Sequence, residues 1–136
     1  MRRPVRARPF LFSTSHPPAV AAACLAAFDI LEQEPERIQN LWANREYWKA
    51  ALDAEGFNTG LSETPIVPVL VGEADRAHQF SQALFENGVL ALGIGFPTVP
   101  KGHARVRTIV TATHTREELD RALDAFRKAG KTLGLI

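Results

Sequence analysis

The sequence predicts an α+β fold: two helices, then a β-α-β-β-α order that forms a small, three-stranded, mainly antiparallel sheet with helices on one face. Three observations predict it. Apolar residues recur at helical spacing before residue 56, three short runs rich in β-branched residues follow, and a capping box opens the last helical stretch. The 136 residues suit one domain, and 46% hydrophobic with 23% charged residues is typical of a globular protein.

The first half of the chain predicts a basic segment followed by two helices. Residues 1–14 are expected to be extended, since their two prolines disfavour a helix. Ser15 is placed to cap a first helix that runs to about Glu34. Pro35 begins a second helix, and Gly56 ends it. The residues expected to face inward are Val20, Ala23, Cys24, Ala27, Ile30 and Leu31 in the first helix, and Ile38, Leu41, Trp42, Trp48 and Leu52 in the second.

The second half predicts three strands and a helix between the first two. Strands are expected at residues 66–71, 89–96 and 105–112, and the helix at residues 74–87. Pro68 has no backbone N–H to donate, which favours an edge position for the first strand or a place at a strand end. The inward residues of this helix are expected to be Ala77, Phe80 and Leu84.

The last helix begins with a capping box. The hydroxyl of Thr115 is placed to accept a hydrogen bond from the backbone amide three residues on, and the Glu118 carboxylate is placed to reach back. The apolar stripe that follows is expected to comprise Leu119, Ala122, Leu123, Phe126 and Leu133.

Composition narrows the classes of function. A net charge of +1 indicates no general attraction to nucleic acid or acidic membranes. The arginines of residues 1–14 would suit a nucleic-acid arm, but the third strand lacks the aromatic residues on which RNA-binding sheets depend. Cys24 is the only cysteine, and the four histidines show no metal-ligand spacing. Since neither a membrane span nor a secretory signal is expected, the cytoplasm is the expected compartment.

The most informative segment is residues 95–115. A loop with two prolines, residues 97–102, precedes the third strand and would line the entrance of a site. Arg105 and Arg107 are two positions apart, so they share one face of that strand, while the other face is mostly apolar. Two guanidiniums on one face suit a carboxylate or a phosphate. These residues alone are equally consistent with a solvated edge strand.

This segment resembles the C-terminal signature of the α-oxoamine synthases, pyridoxal 5'-phosphate (PLP) enzymes that join an amino acid to an acyl-CoA. Within that family the chain most resembles glycine C-acetyltransferase, also called 2-amino-3-ketobutyrate CoA ligase. The matching residues are Val99–Gly102, Ala104–Thr108, Ala112, His114–Thr115 and Gly130–Gly134, with Arg8–Ser15 and Pro17–Ala19 near the start.

The resemblance implies the fold of the C-terminal small domain of fold-type I PLP enzymes. Residues 15–136 would form that domain, and residues 1–14 would connect it to a large catalytic domain. Arg107 matches the family's arginine that binds the carboxylate of the amino-acid substrate. Ser13 and Thr14 match a segment that contacts the cofactor phosphate in the neighbouring subunit of a homodimer, although the residues alone favour plain helix capping for these hydroxyls.

The family's chemistry also requires a lysine that bonds covalently to PLP, in a motif resembling Thr-x-Ser-Lys. Neither Lys49, Lys101, Lys128 nor Lys131 stands in that context. The chain is therefore expected to be the C-terminal third of an acyltransferase that condenses glycine, or a similar small amino acid, with an acyl-CoA, and to be inactive alone. The alternative is a stand-alone, non-catalytic β-α-β-β-α binding module. For Arg105 a structural ion pair is expected.

Overall fold

The computed structural model describes residues 16–136, and the chain divides into two units, Met1–Pro35 and Glu36–Ile136. Ser13, Thr14 and the predicted connection lie outside the described residues. No helix within residues 16–136 has the length and apolar character needed to cross a membrane. The elements are α1 (Pro18–Gln33) in the first unit, and α2 (Glu36–Ala54), β1 (Ile66–Gly72), α3 (Ala74–Glu86), β2 (Leu92–Ile94), β3 (Ala104–Ile109) and α4 (Arg116–Thr132) in the second.

Helix α1 follows Pro17, which occupies its N-cap position, so the prolines sit where a helix accepts them. Ser15, the predicted cap, lies outside the described residues. The predicted inward stripe is wrong, because α1 has no buried residue, and Leu25 and Phe28 are each 66% exposed. Cys24 is exposed as well, rather than buried as its apolar surroundings predict. Helical spacing therefore predicted the element but not the environment of its apolar side chains.

The sheet has the strand order β1-β3-β2, and both pairings are antiparallel, as predicted. Val106 on the central strand pairs with Val69 on β1 and with Gly93 on β2. The edge position predicted for Pro68 is confirmed, since β1 pairs with β3 alone. A β-bulge between Leu70 and Gly72 ends the regular register of β1.

Strand β2 has three residues and is much shorter than the predicted strand at 89–96. The reason is a competing set of hydrogen bonds to α3. The backbone N–H of Val89 donates to the carbonyl of Leu84 at 2.9 Å, and the hydroxyl of Ser81 donates to the carbonyl of Ala91 at 2.5 Å. These residues therefore close the turn after α3 before the ladder with β3 begins.

Helices α2, α3 and α4 lie over one face of the sheet, and Phe126 of α4 lies at the centre of the core between them. Its ring makes edge-on contacts with Trp48, Phe57 and Phe80, at centroid distances of 5.3, 6.0 and 5.4 Å. Such pairs each contribute roughly 0.5–1.5 kcal/mol beyond their buried area. The expected burial of Trp42 is wrong, because this ring is 41% exposed, with the Arg45 guanidinium 6.0 Å from its centroid.

One buried hydroxyl fixes the orientation of the central strand. Thr108 donates a hydrogen bond to the carbonyl of Val67 on β1 at 2.6 Å. The same oxygen accepts a hydrogen bond from the indole N–H of Trp48 on α2 at 2.9 Å. Thr108 must therefore face the helices, and the alternation of a strand then turns Arg105 and Arg107 to the opposite side.

The predicted capping box at the start of α4 is confirmed. The backbone N–H of Glu118 donates to the Thr115 hydroxyl at 3.2 Å, and the backbone N–H of Thr115 donates to the Glu118 carboxylate at 2.9 Å. Within the stripe predicted for this helix, Leu119 and Phe126 are buried.

Replacing Gly93 with alanine should destabilise the domain, because an added Cβ would lie 2.6 Å from the carbonyl oxygen of Ala77. That neighbour is backbone of α3, so relief requires a shift of the helix against the sheet. Overpacking of this kind costs about 1–3 kcal/mol, and urea denaturation measures it. Gln82→Ala, an exposed change on the same helix, is the control; equal free energies of unfolding for both variants would contradict the expectation.

The capping box should make stability depend on acid pH. The hydrogen bond from the Thr115 amide holds the pKa of the Glu118 carboxyl below its ordinary 4.5. A carboxyl whose pKa is lowered by folding stabilises the protein above its unfolded-state pKa, and this contribution is lost as the pH falls through the folded-state pKa. Glu118→Gln should therefore lower the free energy of unfolding at pH 7 and converge with the parent protein near pH 2.

Glu117→Gln is the matched control, because it removes a charge from the same first turn of α4 without touching the capping box. Urea denaturation of both variants between pH 7 and pH 2 separates the hydrogen bond from the general effect of charge at a helix start. An identical pH dependence for the two variants would contradict a specific contribution from Glu118.

Candidate functional site

The two arginines of β3 lie on the face of the sheet opposite the helices, as their spacing predicted. Arg107 pairs with Pro68 on one side and Leu92 on the other, so its stem lies between two apolar side chains. Arg105 has the same arrangement, with Leu70 on β1 and Ile94 on β2 as its paired residues. The open face therefore carries a row of two cations in an apolar surround.

The two guanidiniums differ in what they already bind. The Nε–H of Arg105 donates to the carbonyl of His103 at 3.1 Å. The ion pair expected for Arg105 is not present among residues 16–136, since its cross-strand neighbours Leu70 and Ile94 are apolar. Arg107 is exposed, and no residue in the described part of the chain forms a hydrogen bond or ion pair with it. Arg107 therefore has all of its donors available for an anion.

A shallow concavity of about 520 Å³ lies over these arginines. One side is β1 and the basic residues of β3, and the other is the loop that leads into β1. Its floor and walls combine cations, hydroxyls and apolar side chains, which suits an anionic group attached to an aliphatic one. The lining residues are Gly60, Leu61, Ser62, Thr64, Ile66, Pro68, Leu70, His103, Arg105 and Arg107.

His103 belongs to this concavity although the sequence offered no role for it. The signal was its position directly before β3, on the same side as Arg105 and Arg107 by strand alternation. Residues 97–102, expected at the entrance, do not line this concavity. Within that loop the Lys101 ammonium lies 5.5 Å from the centroid of the Phe96 ring, and Lys101 is exposed.

Lys49 and Lys128 are held by partners outside the arginine site, and Lys131 does not line it. Lys49 donates to Asp53 at 2.8 Å and to the Thr59 hydroxyl at 2.6 Å, and Lys128 donates to Asn87 at 3.4 Å. Among residues 16–136 no group of three or more His, Cys, Asp and Glu side chains is arranged to hold a metal ion. The cations and hydroxyls that line the concavity suit an anion.

Comparison with known proteins identifies the family to which this chain belongs. The model of the family described as aminotransferase class I and II matches residues 5–126. That match covers most of the chain, and the chain belongs to the aminotransferase class I and II family.

Two curated relatives narrow the resemblance. Over 131 residues the chain is 65% identical to an 8-amino-7-oxononanoate synthase from Symbiobacterium thermophilum. It is 59% identical over 131 residues to a Thermus thermophilus protein named 8-amino-7-oxononanoate synthase/2-amino-3-ketobutyrate coenzyme A ligase. Each comparison covers 96% of this chain and 33% of the relative, so the chain spans about a third of the length of the curated relatives it matches.

Solved structures agree with the predicted fold. A serine palmitoyltransferase variant from S. paucimobilis with bound PLP is 31% identical, with a TM-score of 0.87, over 95% of this chain and 33% of that one. A Sphingomonas wittichii serine palmitoyltransferase is 27% identical, with a TM-score of 0.86, over 97% of this chain and 34% of that one. The predicted α+β fold of a fold-type I PLP enzyme's C-terminal region is confirmed.

The predicted likeness to the α-oxoamine synthases is confirmed at the level of that family. The predicted member, glycine C-acetyltransferase, is not confirmed, because the relatives carry the name 8-amino-7-oxononanoate synthase alone or both names together.

Proposed function

We propose that this chain is the C-terminal small domain of a PLP-dependent α-oxoamine synthase, in which Arg107 binds the carboxylate of the amino-acid substrate. Residues 15–136 would form the domain and residues 1–14 its connection to the large domain. The observation that carries the proposal is the guanidinium of Arg107, which has no hydrogen-bond or ion-pair partner among residues 16–136 and lines the concavity on the open face of the sheet.

The surroundings of Arg107 suit a carboxylate. A guanidinium presents two parallel donors that match the two oxygens of a carboxylate, a geometry that an ammonium group does not offer. Pro68 and Leu92 flank the stem, and the guanidinium itself is exposed to an incoming carboxylate. Arg105 has already committed its Nε–H to the His103 carbonyl, so it is the less suitable partner.

The residues of this chain fit the substrate of a PLP reaction better than they fit the ring of PLP itself. The donors in the concavity suit a carboxylate, and the four lysines lie outside its lining. Ser13 and Thr14 are proposed to contact the cofactor phosphate in the neighbouring subunit of a homodimer. PLP, when bound, withdraws electrons from the amino acid and makes its Cα proton acidic. The part proposed for this chain is to hold the amino acid by its carboxylate and so orient that Cα–H bond.

The relatives favour alanine and pimeloyl-CoA as the substrates, the pair used by 8-amino-7-oxononanoate synthases. The condensation of glycine with acetyl-CoA is a second candidate, favoured by the combined name of the Thermus thermophilus relative at 59% identity. Both reactions use an amino acid with a free carboxylate, so Arg107 has the same proposed role in either.

The complete enzyme that contains this chain should release free CoA from pimeloyl-CoA in the presence of alanine, and this should be its faster reaction. Glycine with acetyl-CoA is the comparison. Thiol release, followed with a chromogenic reagent, gives kcat/KM for each pair. A faster glycine reaction would reverse the order of the two candidates, and CoA release from neither pair would contradict the proposed class of reaction.

Arg107→Lys in the complete enzyme should raise the KM for the amino acid and leave the affinity for PLP nearly unchanged. Losing a charge-assisted, two-point hydrogen bond costs roughly 1.5–3 kcal/mol, which corresponds to about a 10- to 150-fold weaker interaction. Steady-state kinetics with varied amino acid measure the change, and a PLP titration measures the cofactor.

Arg105→Lys is the matched control, since it changes the same residue type on the same strand and face. Its effect on the amino-acid KM should be smaller, because one of its donors already serves the protein backbone. A larger effect at Arg105, or an unchanged KM for Arg107→Lys, would contradict the assignment.

A further inference from the structure

One wall of the concavity is an irregular loop, residues 57–65, between α2 and β1. Four of its residues line the concavity opposite the arginines: Gly60, Leu61, Ser62 and Thr64. Leu61 is fully exposed, so its own packing does not hold the loop in place. The position of this wall must therefore be set by bonds to the rest of the domain.

Arg45 of α2 supplies the bonds at the end of the loop that lies nearer to β1. Its Nε–H donates to the carbonyl of Thr64 at 3.3 Å, and its Nη2 donates to the carbonyl of Ser62. A charged donor to two carbonyls makes stronger hydrogen bonds than a neutral one. The Arg45 guanidinium does not itself line the concavity.

The other end of the loop is held by a separate cluster on the same helix. Thr59 is 2% exposed and donates to the Asp53 carboxylate, and its hydroxyl also accepts a hydrogen bond from Lys49 at 2.6 Å. Hydrogen bonds to α2 therefore hold the segment at both ends, to Asp53 at Thr59 and to Arg45 at Ser62. Removing the attachment at Arg45 leaves the wall held at Thr59 and by the hydrogen bond from the Ser62 hydroxyl to the Ile66 carbonyl. The loop therefore stays connected to the fold, while the Ser62 and Thr64 carbonyls lose the donors of Arg45.

We infer that Arg45 is a positioning residue for substrate recognition: it holds the loop against α2 so that the wall of the concavity faces Arg107. This inference rests on the proposed function of the same site. Arg45 acts through the carbonyls of Ser62 and Thr64 and touches no substrate. Its loss therefore weakens the fit around the bound carboxylate more than it slows the later chemistry.

The test is Arg45→Gln in the complete enzyme, with the KM for the amino acid and kcat measured separately. We expect the KM to rise roughly 10-fold, which equals about 1.4 kcal/mol, with kcat changed less than twofold. Arg45→Lys keeps the charge and offers donors from a single point, so it should restore part of the KM. Amide hydrogen exchange should become faster across residues 60–64 in the Gln variant.

The matched control is Arg127→Gln. Arg127 also donates two hydrogen bonds to one partner next to α2, reaching the Glu55 carboxylate at 2.8 and 2.6 Å, but this partner does not line the concavity. Its loss should lower the unfolding temperature and leave the amino-acid KM unchanged. The two arginine variants thus separate general stability from the position of the loop.

Each outcome has a distinct meaning. A raised KM for Arg107→Lys with an unchanged KM for Arg45→Gln would overturn the positioning role and leave the proposed function standing. An unchanged KM for Arg107→Lys would instead overturn the proposed function. Equal rises in KM for Arg45→Gln and Arg127→Gln would show a general loss of stability and would also overturn the inference. If Arg45→Gln does not fold, Arg45→Lys decides through the same KM and hydrogen-exchange measurements.

Discussion

The Thr108 hydroxyl is the constraint on which the arrangement of this domain depends. It donates to Val67 on the neighbouring strand and accepts from Trp48 on a helix, so one buried atom links α2, β1 and β3. A buried hydroxyl left without these partners would cost about 1–3 kcal/mol. A shift of β3 by one residue would lose both bonds and turn Arg107 into the core. The same hydroxyl therefore secures the fold and the accessibility of the arginine.

The core explains why the other face of the sheet stays open. The Phe126 ring of α4 contacts aromatic rings from α2, α3 and the loop after α2. These contacts place all three helices of the second unit on one side of the sheet. Gly93 allows α3 to approach β2 closely, since any side chain there would meet the backbone of Ala77. The side chains that suit an anion therefore lie on the face of the sheet that α2, α3 and α4 do not cover.

That open face carries recognition rather than a complete set of reactive groups. Arg107 offers donors without a competing partner among residues 16–136, and the loop held by Arg45 forms a wall around it. The chain spans about a third of the length of its curated relatives, and the role proposed for it is to bind the carboxylate of the amino-acid substrate. Arg107 lies on the central strand of the sheet, which gives a rigid support for the substrate-orienting role proposed for it.

The sequence by itself determined the features that depend on local geometry. The missing N–H of Pro68 placed β1 at an edge, the spacing of Thr115 and Glu118 gave the capping box, and strand alternation put Arg105 and Arg107 on one face. These follow from backbone geometry and bonds between near neighbours, so they are readable from spacing alone.

Only the tertiary structure decided which apolar residues are buried. Trp48 is buried and Trp42 is exposed although both lie on the predicted inner stripe of α2, and the stripe of α1 is not buried at all. It also decided that β2 is short, since the Ser81 hydroxyl donates a hydrogen bond to the carbonyl of Ala91. The hydrogen bond from Arg45 to the loop beside the arginines likewise depends on the tertiary structure. Periodicity states which residues share a face, but burial and long-range hydrogen bonds depend on elements that are distant in the sequence.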